Sequence, residues 1–210
     1  MFYEPRSGLP APLTHNPFPA LVAPRPIAWI TTTGSDGSCN LAPFSHYNIV
    51  SVDPPMVMFA PSDKGGLGAP KDTLRNVTEI PEFVVNVATG PMREAINQSS
   101  TDFAYGDSEL LRCGLHTAPS VHVRAPRILE APAALECRVF DSVRLPKGKR
   151  DRGSTVVIGE VIGIYIEDSM IVHGRIQSQK MAQLSRLGYF DYCVVNEIFE
   201  MARPEHPNGS

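Results

Sequence analysis

The stretch that constrains the fold most is residues 25–51, which joins strand-forming residues, a tight turn and an unusual second half. An apolar run with the only tryptophan, Trp29, leads into three threonines and a Gly/Ser/Asp turn. Such a pattern predicts two antiparallel strands, at about 27–33 and 39–50. The second contains Pro43, which cannot donate to a strand ladder, among many hydroxyl and amide groups. A ligand bound at this strand edge would explain that composition.

Strand patterns recur along the rest of the chain, and helices are few. Apolar alternation and β-branched residues predict further strands at 56–60, 82–87, 133–143, 155–167 and 192–195, with bulges at Gly159 and Gly163. Short helices are predicted after an N-cap at Asp72 or Thr73, from Pro91 to Gln98, from Asp107 or Ser108 to Gly114, and at 178–187. Strands and helices do not alternate as in a parallel sheet. We therefore predict a mainly β protein, an antiparallel barrel with a few short helices.

The composition fits one globular domain with a sizeable core. The chain has 210 residues, of which 42% are hydrophobic and 20% are charged. Prolines crowd the first residues, and the last ones are polar. We expect a proline-rich arm at 1–23, the domain at 24–197 and a flexible tail at 198–210.

Charge and residue spacing argue against several function classes. The net charge is −3 and the basic residues are scattered, which argues against nucleic acid as a partner. The four cysteines form no close pair, and the six histidines show no ligand spacing, so we expect reduced thiols and no metal. No leader segment or long apolar span is visible. These features predict a cytoplasmic protein without membrane contacts.

No catalytic triad can be assembled from the sequence. Ser45 and His46 are adjacent, and neighbouring strand residues point to opposite faces, so they cannot readily share a proton. The remaining polar groups suit a flat, phosphorylated ligand: threonine and serine hydroxyls, the amides of 40–42, the Lys71 ammonium and the helix start at Thr73. Each also has a structural explanation, since threonine is common in strands and a lysine at a helix end is normally solvated.

Several sequence blocks occur together in the order typical of one family. They are RPIAWITT at 25–32, NLAPFS at 40–45, DPP at 53–55, KDTLRN at 71–76 and FVVN at 83–86. Shorter matches (CGL at 113–115, LEC at 135–137, IGEV at 158–161, and RLG at 186–188 with Tyr192) extend the likeness over about 24–192. The chain thus resembles the flavin reductase-like family, which implies the FMN-binding split barrel, an antiparallel β-barrel of Greek-key type.

The resemblance also implies a set of site residues. The expected flavin-lining residues are Trp29, Ile30, Thr31, Thr32, Asn40, Leu41 and Ala42. The expected phosphate-binding residues are Ser45, Lys71 and Thr73, with Asp72 beside them as a cap, because a free carboxylate would repel phosphate. Candidates for meeting the flavin face or nicotinamide are His173, Arg186 and Tyr189, and a loop at 62–69 is expected to close over the site.

For function, the resemblance implies an NAD(P)H:flavin oxidoreductase that binds FMN rather than FAD and takes NADH or NADPH as co-substrate. It further implies a homodimer and a partner oxygenase that receives reduced flavin. Two alternatives stay open at this point. One is a flavin-binding electron carrier without a nicotinamide site, and the other is a split-barrel binding module that has lost flavin.

Overall fold

The computed structural model describes residues 1–63, 71–101, 109–148 and 153–204. The strands are β1 (Arg25–Pro26), β2 (Ala28–Thr33), β3 (Cys39–Phe44), β4 (Tyr47–Val52), β5 (Pro55–Phe59), β6 (Glu82–Val87), β7 (Thr117–Ala118), β8 (Arg127–Ile128), β9 (Ala133–Arg144), β10 (Thr155–Ile166), β11 (Ile171–Val172), β12 (Arg175–Ile176), β13 (Leu184–Arg186) and β14 (Tyr192–Val194). The α-helices are α1 (Phe18–Leu21), α2 (Asp72–Glu79), α3 (Arg93–Gln98), α4 (Glu109–Arg112) and α5 (Ser178–Met181). The protein is mainly β with short helices, which confirms the predicted class.

The main sheet closes on itself. It has seven strands in the order β3-β2-β6-β9-β10-β5-β4, and each neighbouring pair is antiparallel. β3 and β4 lie at opposite ends of this order, although only Ser45 and His46 separate them in sequence. Three chain steps reach at most about 11 Å, so the sheet must curl until its two edges meet. The result is the predicted split barrel, open between β3 and β4.

Both faces of β2 are covered, because successive side chains of a strand point to opposite sides. Ile30 belongs to the cluster that fills the barrel, together with Phe59 and Phe83. Trp29 belongs to a second cluster with Leu41 and residues of the helical segments. This arrangement makes β2 the most deeply buried strand near the site.

The two predicted bulges are confirmed in the long β9–β10 pair. The register of β10 against β9 shifts between Ile158 and Gly159 and again between Val161 and Gly163. A Cβ added at Gly159 would lie 2.5 Å from Cζ of Phe83, so this position has no space for a side chain. Glycine is therefore required there by the close approach of a core ring.

Three sequence expectations are wrong. The strand predicted at 39–50 is two strands, because the chain leaves one barrel edge at Ser45 and joins the other. The N-cap of helix α2 is Lys71 and not the predicted Asp72 or Thr73, and no side chain caps the helix start. The Thr73 hydroxyl lies inside the first turn and accepts a hydrogen bond from Asn40. The helix predicted at 178–187 ends at Met181, because the following residues pair as β13 with β1 and β14. The predicted caps Asp107 and Ser108 lie outside the described residues.

Candidate functional site

A small polar pocket lies beside the open edge of β3. Its volume is about 40 Å³, enough for roughly three water molecules or one small anion. The residues that line it are Asn40, Ala42, Pro43, Lys71, Asp72, Thr73, Ser99, Ser100, Thr101 and Glu109. Five of these ten belong to the predicted site, so the structure brings together residues from β3 and the start of α2.

One hydrogen bond ties the two predicted segments together. The Asn40 Nδ2 amide donates to Thr73 Oγ1 over 2.9 Å, and the Thr73 residue is 1% exposed. Because Thr73 lies in the first turn of α2, this bond fixes the helix start beside β3. The geometry is that of a preformed cradle for a polar group.

The open edge of β3 explains why a proline is tolerated within a strand. The Leu41 N–H points to the open side of β3 and donates to Glu109 Oε2 over 3.4 Å. By strand alternation, the backbone of Pro43 faces the same open side, where a missing N–H breaks no ladder bond.

The charges around the polar pocket are mixed. Lys71 contributes one positive charge, whereas Asp72 and the buried Glu109 contribute two carboxylates. Burial, followed by the Glu109 charge, raises the pKa of the neighbouring Cys39 thiol to about 12. The pocket therefore combines donors for a phosphate with an acceptor for ligand hydroxyls.

The predicted residues on β2 have buried side chains: Trp29, Ile30, Thr31 and Thr32. Trp29 Nε1 donates to Ser99 Oγ over 2.9 Å, and Asn76 Nδ2 donates to Thr32 Oγ1 over 3.0 Å. These bonds hold a wall of the polar pocket and helix α2 in place. Direct contact of the β2 residues with flavin stays a prediction.

A larger cleft adjoins the polar pocket, and we call it the arginine cleft. It has a volume of about 490 Å³ and is lined by His15, Asn16, Pro19, Arg25, Ile27, Pro43, Ser45, Ile96, Ser100, Arg186, Leu187, Tyr189 and Tyr192. Pro43 and Ser100 line both cavities. Ser45, predicted to bind phosphate with Lys71 and Thr73, therefore lines the arginine cleft with Arg186 and Tyr189 rather than the polar pocket.

His173 is the predicted site residue that the structure places apart. It lies in the tight turn between β11 and β12, with φ of +50°, and is not among the described residues that line either cavity. The loop predicted at 62–69 falls largely outside the described residues. His173 therefore does not contribute to the geometry described above.

Sequence reasoning missed one wall of each cavity. Ser99, Ser100, Thr101 and Glu109 complete the polar pocket, and His15 with Asn16 reaches the arginine cleft from the N-terminal arm. A run of three hydroxyl residues at the end of a predicted helix was the available signal for the first group. The arm residues carry no local signal, since only the tertiary fold brings them to the cleft.

Comparisons with known proteins agree with this architecture. The model of the flavin reductase-like domain matches residues 22–180. The chain belongs to the flavin reductase-like family. An uncharacterized protein of Deinococcus radiodurans is 32% identical over 205 residues, which cover 94% of this chain and 87% of the relative. YwrF of Bacillus subtilis, also uncharacterized, is 34% identical over 97% of this chain and 100% of its own.

Solved structures of this family superpose along nearly the whole chain. Nitrilotriacetate monooxygenase component B from Bacillus cereus has a TM-score of 0.82 at 28% identity, covering 92% of this chain and 100% of its own. The 2-nitrobenzoate 2-nitroreductase NbaA of Pseudomonas fluorescens has a TM-score of 0.80 at 30% identity, covering 97% and 96%. Flavoredoxin of Desulfovibrio vulgaris, at 19% identity and a TM-score of 0.73 over 92% and 97%, supports the fold alone. Family membership supports flavin binding and a flavin-related redox function.

Proposed function

We propose that this protein binds FMN and catalyses hydride transfer from NADH or NADPH to the flavin. The observation that carries the proposal is the continuity of the two cavities, which share Pro43 and Ser100. A small pocket with phosphate donors opens into a larger cleft with aromatic walls, as a phosphorylated flat cofactor requires. When bound, FMN supplies the redox chemistry, and the protein supplies position and exclusion of water.

The polar pocket suits the phosphate and the hydroxyl-bearing chain of the cofactor. Lys71 offers an ammonium and Thr73 a hydroxyl beside the helix start, while Ser99 and Ser100 add further hydroxyls. The Glu109 carboxylate accepts hydrogen bonds, so we assign it to the hydroxyl groups of the ligand rather than to the phosphate. Its burial keeps this acceptor fixed.

A partner oxygenase and a homodimer are part of the same proposal. The likeness to a protein named as component B of a monooxygenase supports an oxygenase that receives reduced flavin. The exposed apolar residues Ile49, Val50 and Val52 on β4 offer a face for a second copy of the chain. Four free cysteines are consistent with the cytoplasm as the compartment. Light scattering of the flavin-loaded protein would reveal a monomer if the dimer is wrong.

A second candidate function is reduction of a small aromatic acceptor within the arginine cleft. The relative named as a nitroreductase, 30% identical over 97% of this chain, favours it. The aromatic side chains of Tyr189 and Tyr192 in the cleft agree with a flat acceptor. Product analysis with a nitroaromatic acid under anaerobic conditions would separate the two functions.

Lys71 provides the sharpest test of FMN binding. We expect Lys71→Ala to weaken FMN binding by about 1.5–3 kcal/mol, or roughly 10- to 150-fold, because a charge-assisted hydrogen bond is lost. Riboflavin has no phosphate, so its affinity should not change. Lys180→Ala removes an exposed lysine from α5 and serves as the matched control. Quenching of flavin fluorescence measures all these affinities, and equal losses for FMN and riboflavin would remove Lys71 from the phosphate site.

Steady-state oxidation of NADH and NADPH by the FMN-loaded protein tests the reaction itself. Turnover with either donor supports the reductase. Binding of FMN without oxidation of either donor would instead favour the electron carrier.

A further inference from the structure

The arginine cleft contains two arginines that come from opposite ends of the chain. Arg25 belongs to β1 and Arg186 to β13, and these two residues are direct partners in the β1–β13 ladder. Neither guanidinium forms an ion pair with a described carboxylate. Their hydrogen-bond acceptors are backbone carbonyls and one tyrosine hydroxyl, so no carboxylate of the described residues neutralises either charge directly.

Arg25 clamps the N-terminal arm onto the C-terminal hairpin. Its Nη1 donates to the carbonyls of Pro19 and Val22, and its Nη2 donates to Leu187 over 2.7 Å. A Cβ added at Gly188 would lie 2.4 Å from Cβ of Ala20, so the arm packs directly on this hairpin. One wall of the cleft is therefore the arm itself.

Arg186 has more N–H donors than its two hydrogen bonds use. Arg186 uses Nη1 for the Tyr192 hydroxyl and Nη2 for the Tyr189 carbonyl. A guanidinium has five N–H groups, and these two bonds leave three. The Nε–H of Arg25 is buried without an acceptor among the described residues, and a buried donor without a partner is costly. An oxygen-bearing anion in the cleft would supply acceptors for the unused Arg186 donors.

The charged residues that line the described part of the cleft are positive. The titratable residues that line it are His15, Arg25, Arg186, Tyr189 and Tyr192, and the described lining includes no carboxylate. Burial and then the Arg186 charge lower the pKa of Arg25, and burial and then Arg25 lower that of His46. A negative group is therefore favoured in the cleft.

Aromatic groups and a strained residue shape the same cleft. His15 meets Tyr189 edge to face with ring centroids 5.7 Å apart, and the Arg186 guanidinium lies 4.3 Å from the Tyr192 ring centroid. Tyr189 has φ of +55°, a left-handed conformation that is uncommon for a tyrosine and is held by the bond from Arg186. Backbone strain of this kind is often kept at ligand clamps.

We propose that the arginine cleft binds an oxygen anion of a ligand that also carries a flat ring, with Arg186 as its direct ligand and Arg25 as the residue that positions the arm. The anion would be the pyrophosphate of a nicotinamide dinucleotide or the carboxylate of an aromatic acid. Use of the cleft in electron transfer rests on the proposed function. Binding of the anion does not, because it can be measured in the flavin-free protein.

Benzoate and benzamide are matched probes, since they have the same shape and differ in charge. We expect the flavin-free protein to bind benzoate at least about tenfold more tightly than benzamide, as titration by protein NMR would measure. Arg186→Gln should abolish this preference, and Arg186→Lys should keep part of it. Arg175→Gln, an exposed arginine on β12 that removes the same charge, should leave it unchanged.

Competition experiments with the FMN-loaded protein identify the source of the anion. NAD⁺ is the competitor, because oxidised FMN cannot take a hydride from it. Displacement of benzoate by NAD⁺ supports a dinucleotide in the cleft, and retention of benzoate beside NAD⁺ supports a separate aromatic acid. Equal affinities for benzoate and benzamide, no binding of benzoate, or equal effects of Arg186→Gln and Arg175→Gln would overturn the proposal. The comparison of the two probes on the unaltered protein decides the matter even if Arg186→Gln fails to fold.

Discussion

Asp63 and Arg144 form an ion pair, and we expect substitutions of its two members to lower the free energy of unfolding by different amounts. Arg144 Nη1 and Nη2 contact the two Asp63 carboxylate oxygens at 2.9 and 2.5 Å, and the Gly153 N–H donates to Asp63 Oδ2 over 3.0 Å. The Asp63 side chain is 2% exposed, whereas that of Arg144 is 45% exposed. The pair joins the end of the 60–63 segment to the base of the β9–β10 hairpin.

Removing the arginine should cost more than removing the carboxylate. Arg144→Met leaves a buried carboxylate that keeps the Gly153 N–H as a donor but loses its charged partner, and it should cost about 3–5 kcal/mol in the free energy of unfolding. Asp63→Asn leaves an arginine that water can solvate, so we expect about 1–2 kcal/mol. The double variant should recover part of the loss, since no unpaired charge remains.

The pH dependence follows from the pKa of Asp63. Hydrogen bonds from Arg144 and Gly153 lower this pKa to about 2, compared with about 3.9 in the unfolded chain. A depressed carboxyl pKa stabilises the fold fully above the unfolded value, and this contribution is lost as pH falls from about 4 through 2. Because Arg144 is half exposed, we expect about 1–2 kcal/mol from this linkage. In Arg144→Met the pKa of Asp63 is no longer lowered by the arginine, so Asp63 takes up its proton at higher pH and the stability deficit of this variant should begin to shrink before pH 4 is reached.

Urea unfolding measures the free energy of unfolding of the unaltered protein, the two single variants and the double variant, at pH 7 and in steps down to pH 3. The change in midpoint at constant m-value gives the difference in stability. The unaltered protein should lose stability on acidification more steeply than Asp63→Asn. Equal costs for the two single substitutions, or parallel pH profiles, would refute the reasoning.

Three further predictions concern the buried structure and thiol reactivity. Gly159→Ala should destabilise the protein by about 1–3 kcal/mol in urea unfolding, because its Cβ would clash with the buried Phe83 ring; a neutral result would contradict the tight packing. Asn86→Leu should lower the free energy of unfolding by about 2–4 kcal/mol, because the buried Ile128 N–H would lose its acceptor, Asn86 Oδ1, at 2.7 Å. An unchanged melting temperature in calorimetry would contradict this. The Cys39 thiol, whose pKa burial raises to about 12, should react with a thiol reagent at pH 8 only after unfolding; rapid labelling in the native state would disagree.

Local sequence was sufficient for most strands of the barrel. The strand at Glu82–Val87 and the register shifts at Gly159 and Gly163 follow from β-branched content and from the positions of glycine. These features depend on neighbouring residues, which local patterns record. The prediction of a helix at 178–187 is wrong because part of this segment depends on a distant one. Strand β13 forms by pairing with β1, about 160 residues away in sequence.

Some residues of the candidate site could be predicted from the sequence, and others could not. The blocks at 40–45 and 71–76 carry a family pattern, and the structure joins them through Asn40 and Thr73. Glu109 and the hydroxyl residues at 99–101 complete the pocket from segments whose local sequence gives little sign of a ligand. Their role depends on where helices α3 and α4 pack, which short-range patterns do not record.

By itself, the sequence determined most strands of the barrel, the bulge glycines and the family pattern of residues 25–51, because each depends on local conformational preference or on residues that are close in the chain. Only the tertiary structure decided that β3 and β4 end on opposite edges of one curled sheet, and that Arg25 and Arg186 face one cleft without a described carboxylate. The physical reason is that strand closure and charge proximity arise from contacts between distant segments. Such contacts are selected by the packing of the whole barrel.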